Sequence, residues 1–163
     1  MTSKEFNFPA ASSPPGQPLE LTFPAQSEWV SVVRLATAGV ASRMGFTYDE
    51  IEDIKLAIAE ACNNAILHVY PEKAGQMVRV HWLPCARHLE ISVIDGGSLE
   101  PHQLSLNESK NNLDELPEGG MGLLLMEALM DEVEQSITPQ GNTVMRMIKR
   151  LSVDTRTEAG SLS

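Results

Sequence analysis

The chain has 163 residues and a hydrophobic content of 42%, which is ordinary for one globular domain with a sizeable core. Its 12 basic and 22 acidic residues give a formal net charge of −10, which would repel a phosphate backbone, so direct nucleic-acid binding is not expected. No apolar run is long enough to span a membrane, and residues 1–16 lack the pattern of a signal peptide. We therefore expect a cytoplasmic protein that does not enter the membrane.

The two ends of the chain differ in composition from the middle. Residues 1–17 are rich in Ser, Pro, Ala and Gly, and residues 152–163 are rich in Ser, Thr and charged residues. Neither end has a periodic apolar face to bury, so both are predicted to be flexible tails. The folded domain is expected to span residues 18–151.

The domain is predicted to open with a strand near residues 19–23 and a helix over about residues 27–44. Apolar residues of this helix recur every three or four positions, which predicts a stripe that faces the core. The stripe consists of Trp29, Val33, Ala36, Val40 and Met44.

A second helix is predicted from residue 47 to about residue 69, because Thr47 and Glu50 have the spacing of a capping box. Its apolar positions also recur every three or four residues and predict a buried face. That face consists of Ile51, Ile54, Ile58, Ala61 and Ala65. Glu60 and Asn64 stand one helical turn apart on an adjoining face, followed by His68, and can line a cleft.

The second half of the domain is predicted to contain two hairpins, a long loop and a helix. Residues 77–83 and 88–94 alternate as two antiparallel strands, and Asp95 follows at the end of the second strand. Residues 98–118 show no period and are predicted to form a long loop, of the kind that often acts as a lid. A helix begins near residue 121, and residues 132–138 and 143–151 predict a closing hairpin.

Three short motifs in these elements suggest a nucleotide site. A carboxylate at Asp95 would accept a hydrogen bond from the amine of adenine and repel the carbonyl of guanine. The glycines of the segment Gly119–Gly122 precede an apolar helix, so their amides could approach a polyphosphate at the positive helix end. Asn64 offers an oxygen to Mg²⁺, and Glu60 could accept the proton of an attacking hydroxyl.

Each motif also has an ordinary structural interpretation. Asp95 could simply begin a turn with the two glycines that follow it, Gly119–Gly122 could be a hinge, and Glu60 could lie on a solvated helix face. The chain contains neither the P-loop motif nor GxGxxG after a first strand, so the common nucleotide-binding folds are excluded by motif.

The order of these motifs resembles that of the GHKL ATPases, which have the Bergerat fold. Glu60 with Asn64, Asp95 with Gly97, and the run Gly120-Met121-Gly122-Leu123 are similar to the N, G1 and G2 boxes of that superfamily. The resemblance covers about residues 19–151. More narrowly, residues 39–53 and their continuation to Tyr70 resemble the family of anti-sigma-B serine-protein kinases.

The resemblance implies an α+β fold, a two-layer α/β sandwich with helices on one face of a mixed, largely antiparallel sheet. It also implies a homodimer that uses ATP and Mg²⁺ and has two competing protein partners. One partner would be a general-stress sigma factor of the sigma B type, held inactive. The other would be an anti-anti-sigma protein of the STAS type, phosphorylated on serine.

The resemblance further implies a role for each matching residue. Glu60 resembles the general base and Asn64 the Mg²⁺ ligand. Asp95 resembles the adenine acceptor, supported by Thr143, and Arg34 resembles an arginine that faces the protein partner. The nucleotide-binding set is completed by Gly97, Gly120, Met121, Gly122 and Leu123.

The chain departs from the family pattern at two positions. Leu99 stands where a full G1 box has another glycine, and Glu118 stands where some relatives have an arginine. If Glu118 faces inward, it would repel the γ-phosphate. The positive charge that balances the phosphates must then come from Mg²⁺, the helix N-terminus or a lid residue such as Lys110.

Other functions remain open at this point. Glu60 could be catalytically idle in a module whose nucleotide only selects the partner that is held. An ATP-hydrolysing machine of the chaperone or gyrase kind would need further domains, and a sensor histidine kinase would need a membrane span and a phosphoacceptor helix.

Overall fold

A layer of helices packs on a single sheet in the computed structural model, which describes residues 16–68, 75–95 and 120–152. The predicted lid loop and almost all of both predicted tails lie outside the described residues. The described elements, in chain order, are β1 (Leu19–Pro24), a 3-10 turn (Ser27–Trp29), α1 (Val30–Met44), α2 (Tyr48–His68), β2 (Met77–Pro84), β3 (His88–Asp95), α3 (Gly120–Leu129), β4 (Glu132–Ile137) and β5 (Thr143–Arg150).

The sheet has five strands in the order β1-β2-β3-β5-β4. All pairings between the described strands are antiparallel. In the central register, Ile91 of β3 lies opposite Trp82 of β2 on one side and Met147 of β5 on the other. This arrangement confirms the predicted α+β fold with a largely antiparallel sheet, and both predicted hairpins are present.

The core lies between the sheet and the helices. Because strand side chains alternate between the two faces, β2 and β3 bury every second residue beneath the helices. Trp82, Ile91 and Met147 are buried on this face. The predicted face of α2 is confirmed, since Ile54 and Ile58 are fully buried in the same cluster.

The capping box at the start of α2 is confirmed. The backbone N–H of Thr47 donates to Glu50 Oε2 at 2.8 Å, and the backbone N–H of Glu50 donates to Thr47 Oγ1 at 3.3 Å. Partial burial raises the pKa of Glu50, but the hydrogen bond from the Thr47 backbone and further hydrogen bonds outweigh this effect, so the pKa lies below its usual value. The cap fixes where α2 starts, and therefore where Glu60 and Asn64 fall along it.

The predicted core stripe of α1 is partly wrong. Trp29 lies in the 3-10 turn that precedes α1 and is 41% exposed, whereas Thr37 is fully buried. The hydroxyl of Thr37 donates to the Val33 carbonyl at 2.7 Å and accepts from Trp82 Nε1 at 3.0 Å. A polar residue can therefore occupy the buried face of α1, because its hydroxyl has both an acceptor in the preceding turn and a donor in the distant indole.

Candidate nucleotide site

Helix α2 presents its polar row beside the core. Glu60 and Asn64 stand one turn apart and are partly exposed, whereas Cys62 between them is fully buried. Burial raises the pKa of the Cys62 thiol to about 12, so this thiol stays protonated at neutral pH. The chemistry that α2 offers to a ligand therefore rests on the carboxylate and the amide.

The N-terminal end of α3 meets this polar row at Gly122. A Cβ atom placed on Gly122 would lie 2.9 Å from Glu60 Oε2, and 3.5 Å and 3.6 Å from the amide nitrogen and oxygen of Asn64. Only a residue without a side chain leaves Glu60 in this position. The structure thus brings together Glu60, Asn64 and Gly122, which the sequence places on two separate helices.

The charge of the helix end suits an anion. The first turn of α3, which begins at Gly120, contains no acidic residue. The first backbone N–H groups of a helix have no partner within the helix and carry a partial positive charge. The first turn also contains Met121, which is exposed, and Leu123, which packs partly against the core. A phosphate group placed beside Glu60 and Asn64 would therefore meet free amides without an opposing carboxylate on the helix itself.

A second polar group lies where β3 ends and β5 begins. Asp95 is only 2% exposed, and its Oδ1 accepts the backbone N–H of Thr143 at 3.0 Å. The hydroxyl of Thr143 is buried and has no hydrogen-bond partner within the part of the chain that the structure describes. A carboxylate offers about four acceptor sites, and a buried hydroxyl without a partner is unfavourable. The pair therefore fits a ligand edge that both donates and accepts hydrogen bonds, as adenine does.

The two groups face the same interior. Asp95 follows Ile91 and Val93 on the face of β3 that the helices cover, and Thr143 precedes Met145 on the matching face of β5. Glu60, Asn64 and Gly122 lie in the helical layer above this face. Asp95 and Thr143 therefore lie on the side of the sheet that is covered by the helices carrying the other group.

Other predicted site residues are not brought into this arrangement. Arg34 is exposed on α1. Gly97, Leu99 and Glu118 lie outside the described residues. The backbone N–H of Thr143 was not predicted as a partner of Asp95, because a main-chain donor leaves no signature in the sequence.

Known proteins resemble this chain in sequence and in fold. A family model described as a histidine kinase-like ATPase domain matches residues 23–149. Serine-protein kinase RsbW of Bacillus pumilus is 47% identical over 123 residues, which cover 71% of this chain and 76% of that protein. The chain belongs to the RsbW family of serine-protein kinases. RsbW of Bacillus subtilis is 45% identical over 120 residues, with 71% of this chain and 75% of that protein covered.

Solved structures confirm the fold. The crystal structure of the RsbU and RsbW domains of a Mycobacterium tuberculosis protein matches with a TM-score of 0.58 and 25% identity, covering 85% of this chain and 33% of that one. The SiaB–SiaC complex of Pseudomonas aeruginosa matches with a TM-score of 0.55 over 80% of this chain and 88% of that one. Its identity is 17%, so this second likeness supports the fold alone. Among the described residues, no helix has the length and apolar character needed to cross a membrane.

Proposed function

We propose that this protein is an anti-sigma factor and an ATP-dependent protein-serine kinase. It would hold a sigma factor of the sigma B type, and it would inactivate an anti-anti-sigma protein of the STAS type by phosphorylating it on serine. The observation that carries the proposal is the contact of Gly122 with Glu60 and Asn64, which places a carboxylate, an amide and a helix N-terminus together. The names of the RsbW relatives support the kinase activity.

Asp95 and Thr143 would recognise the adenine. The Asp95 carboxylate is held by the Thr143 backbone N–H, so its orientation is set before the nucleotide arrives. A charge-assisted hydrogen bond from the adenine amine would contribute about 1.5–3 kcal/mol. The buried Thr143 hydroxyl would gain the partner that it lacks within the described residues. Gly97, two residues after Asp95 in the chain, is proposed to complete the adenine end of the site.

The first turn of α3 would bind the phosphates. The segment Gly120–Leu123 offers backbone N–H groups at the positive end of the helix. Asn64 would hold Mg²⁺ through its amide oxygen, and Mg²⁺ commonly takes few protein ligands together with phosphates and waters. When bound, the ion would neutralise charge on the phosphate oxygens.

Glu60 would act as the general base. The serine oxygen of the partner attacks the γ-phosphorus, and a new oxygen–phosphorus bond forms. The bond between the γ-phosphorus and the bridging oxygen breaks, and its electron pair leaves with ADP. The hydroxyl proton would pass to the carboxylate of Glu60, which lies beside Gly122 in the first turn of α3.

Partner binding would use a different surface. Arg34 is exposed on α1 and is not part of the contacts that form the nucleotide site. The net charge of −10 suits a regulator that controls transcription by occupying a sigma factor and not by touching DNA. We further propose that the protein works as a homodimer in the cytoplasm.

The decisive experiment incubates the purified protein with γ-labelled ATP, Mg²⁺ and the anti-anti-sigma protein, next to a Glu60→Gln variant. We expect label on a partner serine with the native protein and its loss in the variant, while the variant still binds ATP. Glu52→Gln is the matched control, because Glu52 lies on the same helix and pairs only with Lys55 among the described residues, at 2.8 Å. Equal labelling by Glu60→Gln would remove Glu60 from catalysis. Absence of labelling despite ATP binding would leave a nucleotide-gated binding module.

The partner surface is tested separately with Arg34→Ala. We expect this variant to lose affinity for the sigma factor and for the anti-anti-sigma protein, as measured by calorimetry, with the ATP dissociation constant unchanged. Arg43→Ala, at another exposed arginine of α1, is the control. Native affinity of Arg34→Ala for both partners would show that Arg34 does not face them.

A further inference from the structure

Lys149 is a charged residue in an unusual place. It lies on the helix-facing side of β5, following the buried residues Met145 and Met147 at alternate positions, and its side chain is 15% exposed. Lysine is rarely buried to this extent without partners, because its ammonium group is strongly hydrated in water. Its position therefore needs an explanation from its contacts.

Two contacts account for the position of the Lys149 ammonium group. Nζ donates to the backbone carbonyl of Leu129 at 2.6 Å, and it lies 3.8 Å from Asp53 Oδ2. Leu129 is the last residue of α3, where backbone carbonyls have no partner within the helix and carry a partial negative charge. The last turn of α3 contains no basic residue of its own. Lys149 supplies the cation that this helix end lacks.

The three elements that meet at Lys149 are among those that carry the candidate site. Asp53 lies on α2, two turns before Glu60, and β5 begins at Thr143. Helix α3 runs for 10 residues, or about 15 Å, from the Gly120 end beside Glu60 to the Leu129 end beside Lys149. The antiparallel pair of α2 and α3 is thus held at both ends, by Gly122 against Glu60 and by Lys149 between Asp53 and Leu129.

We propose that Lys149 is a positioning residue for the nucleotide site, which sets where α3 lies along α2 and so where the first turn of α3 meets the phosphates. This inference rests on the proposed function of that turn. A shift of α3 along its axis is carried to Gly122, because a helix moves as a rigid rod over this length. Gly122 lies so near Glu60 that a Cβ there would come within 2.9 Å of Oε2, so such a shift changes the position of the phosphate-binding amides relative to the carboxylate.

A second anchor limits the size of the effect. Asp131, which follows shortly after the end of α3, is bound to β5 by two hydrogen bonds. Its backbone N–H donates to the Ile148 carbonyl at 2.9 Å, and its Oδ2 accepts the Arg150 backbone N–H at 2.6 Å. A displacement of about 1 Å at a reacting group can lower a rate roughly a hundredfold. Since the second anchor prevents so large a displacement, we expect a loss of about tenfold.

The test uses Lys149→Met, which keeps an unbranched side chain only one atom shorter and removes its charge and donors. We expect the dissociation constant of ATP and the KM for ATP to rise, so that kcat/KM falls about tenfold. Lys149→Arg, which retains the cation, should recover most of the loss. Lys55→Met is the matched control, because Lys55 is a partly buried lysine of α2 whose described ion pair is with Glu52 on the same helix. All proteins are assayed at a temperature where circular dichroism shows them to be folded.

The outcomes separate a positioning role from a structural one. Native values of the ATP dissociation constant and of kcat/KM in Lys149→Met would overturn the proposal, whatever happens to the melting temperature. If Lys149→Met does not fold, Lys149→Gln takes its place, and native ATP affinity in that variant would equally overturn it. If the native protein transfers no phosphate, the kinase proposal fails, but ATP affinity in the same variants still decides the role of Lys149.

Discussion

Replacing Gly122 with alanine should impair activity without unfolding the protein. The added Cβ would lie 2.9 Å from Glu60 Oε2, about 0.5 Å short of the 3.4 Å at which ordinary van der Waals contact begins. Because this oxygen is at the free end of a flexible side chain, the carboxylate can move aside at little cost in stability. Alanine is also a better helix former than glycine by up to about 1 kcal/mol, so we expect the melting temperature to be unchanged or slightly higher.

The activity of Gly122→Ala should fall because the displaced carboxylate is the proposed base. A displacement of about 1 Å costs roughly a hundredfold in rate, so half that distance gives about tenfold, or about 1.4 kcal/mol in the activation free energy. The assay is the steady-state rate of serine phosphorylation, measured together with thermal unfolding. Gly39→Ala is the matched control, since Gly39 lies in α1 and a Cβ there would meet no atom within 4 Å.

Two results would refute this reasoning. An unchanged rate in Gly122→Ala would show that the contact between Gly122 and Glu60 is not maintained in the working enzyme. An equal loss of rate in Gly39→Ala would show that the effect is general to helix substitutions. A double variant adds a further check, because Gly122→Ala should lower the rate no further once Glu60 has been replaced by Gln.

Two other predictions concern adenine recognition and stability. Asp95→Asn should weaken ATP binding by about 1.5–3 kcal/mol in calorimetry, since an amide donor can face the adenine amine. It should also narrow the preference for ATP over GTP, because the amide can donate to the guanine carbonyl that the carboxylate repels. Unchanged ATP affinity would contradict this assignment. Arg146 donates to both carboxylate oxygens of the nearly buried Glu90, at 2.9 Å and 2.8 Å, and these hydrogen bonds raise the pKa of Arg146. Arg146→Met should lower the free energy of unfolding in urea by roughly 2–3 kcal/mol, because it leaves a buried carboxylate unpaired, and Glu90→Gln combined with it should recover part of the loss.

The elements that were predicted well depend on interactions between near neighbours in the chain. Thr47 and Glu50 cap α2 from three residues apart, and the buried face of α2 follows from its period alone. The prediction for α1 failed at Trp29, which lies in the 3-10 turn before the helix and is largely exposed. Thr37 occupies the core in its place, where its hydroxyl accepts a hydrogen bond from Trp82 Nε1, and no local pattern contains that pairing.

The candidate site was likewise predictable from the sequence only in part. Its residue types and their order were readable, and they were enough to identify the family. Lys149, in contrast, has no signal in the sequence, where it is one of several charges near the end of a strand. Its role emerges only when β5 is placed against the C-terminal end of α3.

The amino-acid sequence by itself determined where most helices and strands begin and end, because this depends on residue type and short spacing, and it supplied the candidate side chains for a nucleotide site. Only the tertiary structure decided that Gly122 rests on Glu60, that the Thr143 backbone holds Asp95, and that Lys149 joins α2, α3 and β5. These contacts join residues far apart in the chain. They are set by the register of the sheet and by the packing of helices upon it, and neither has a local code.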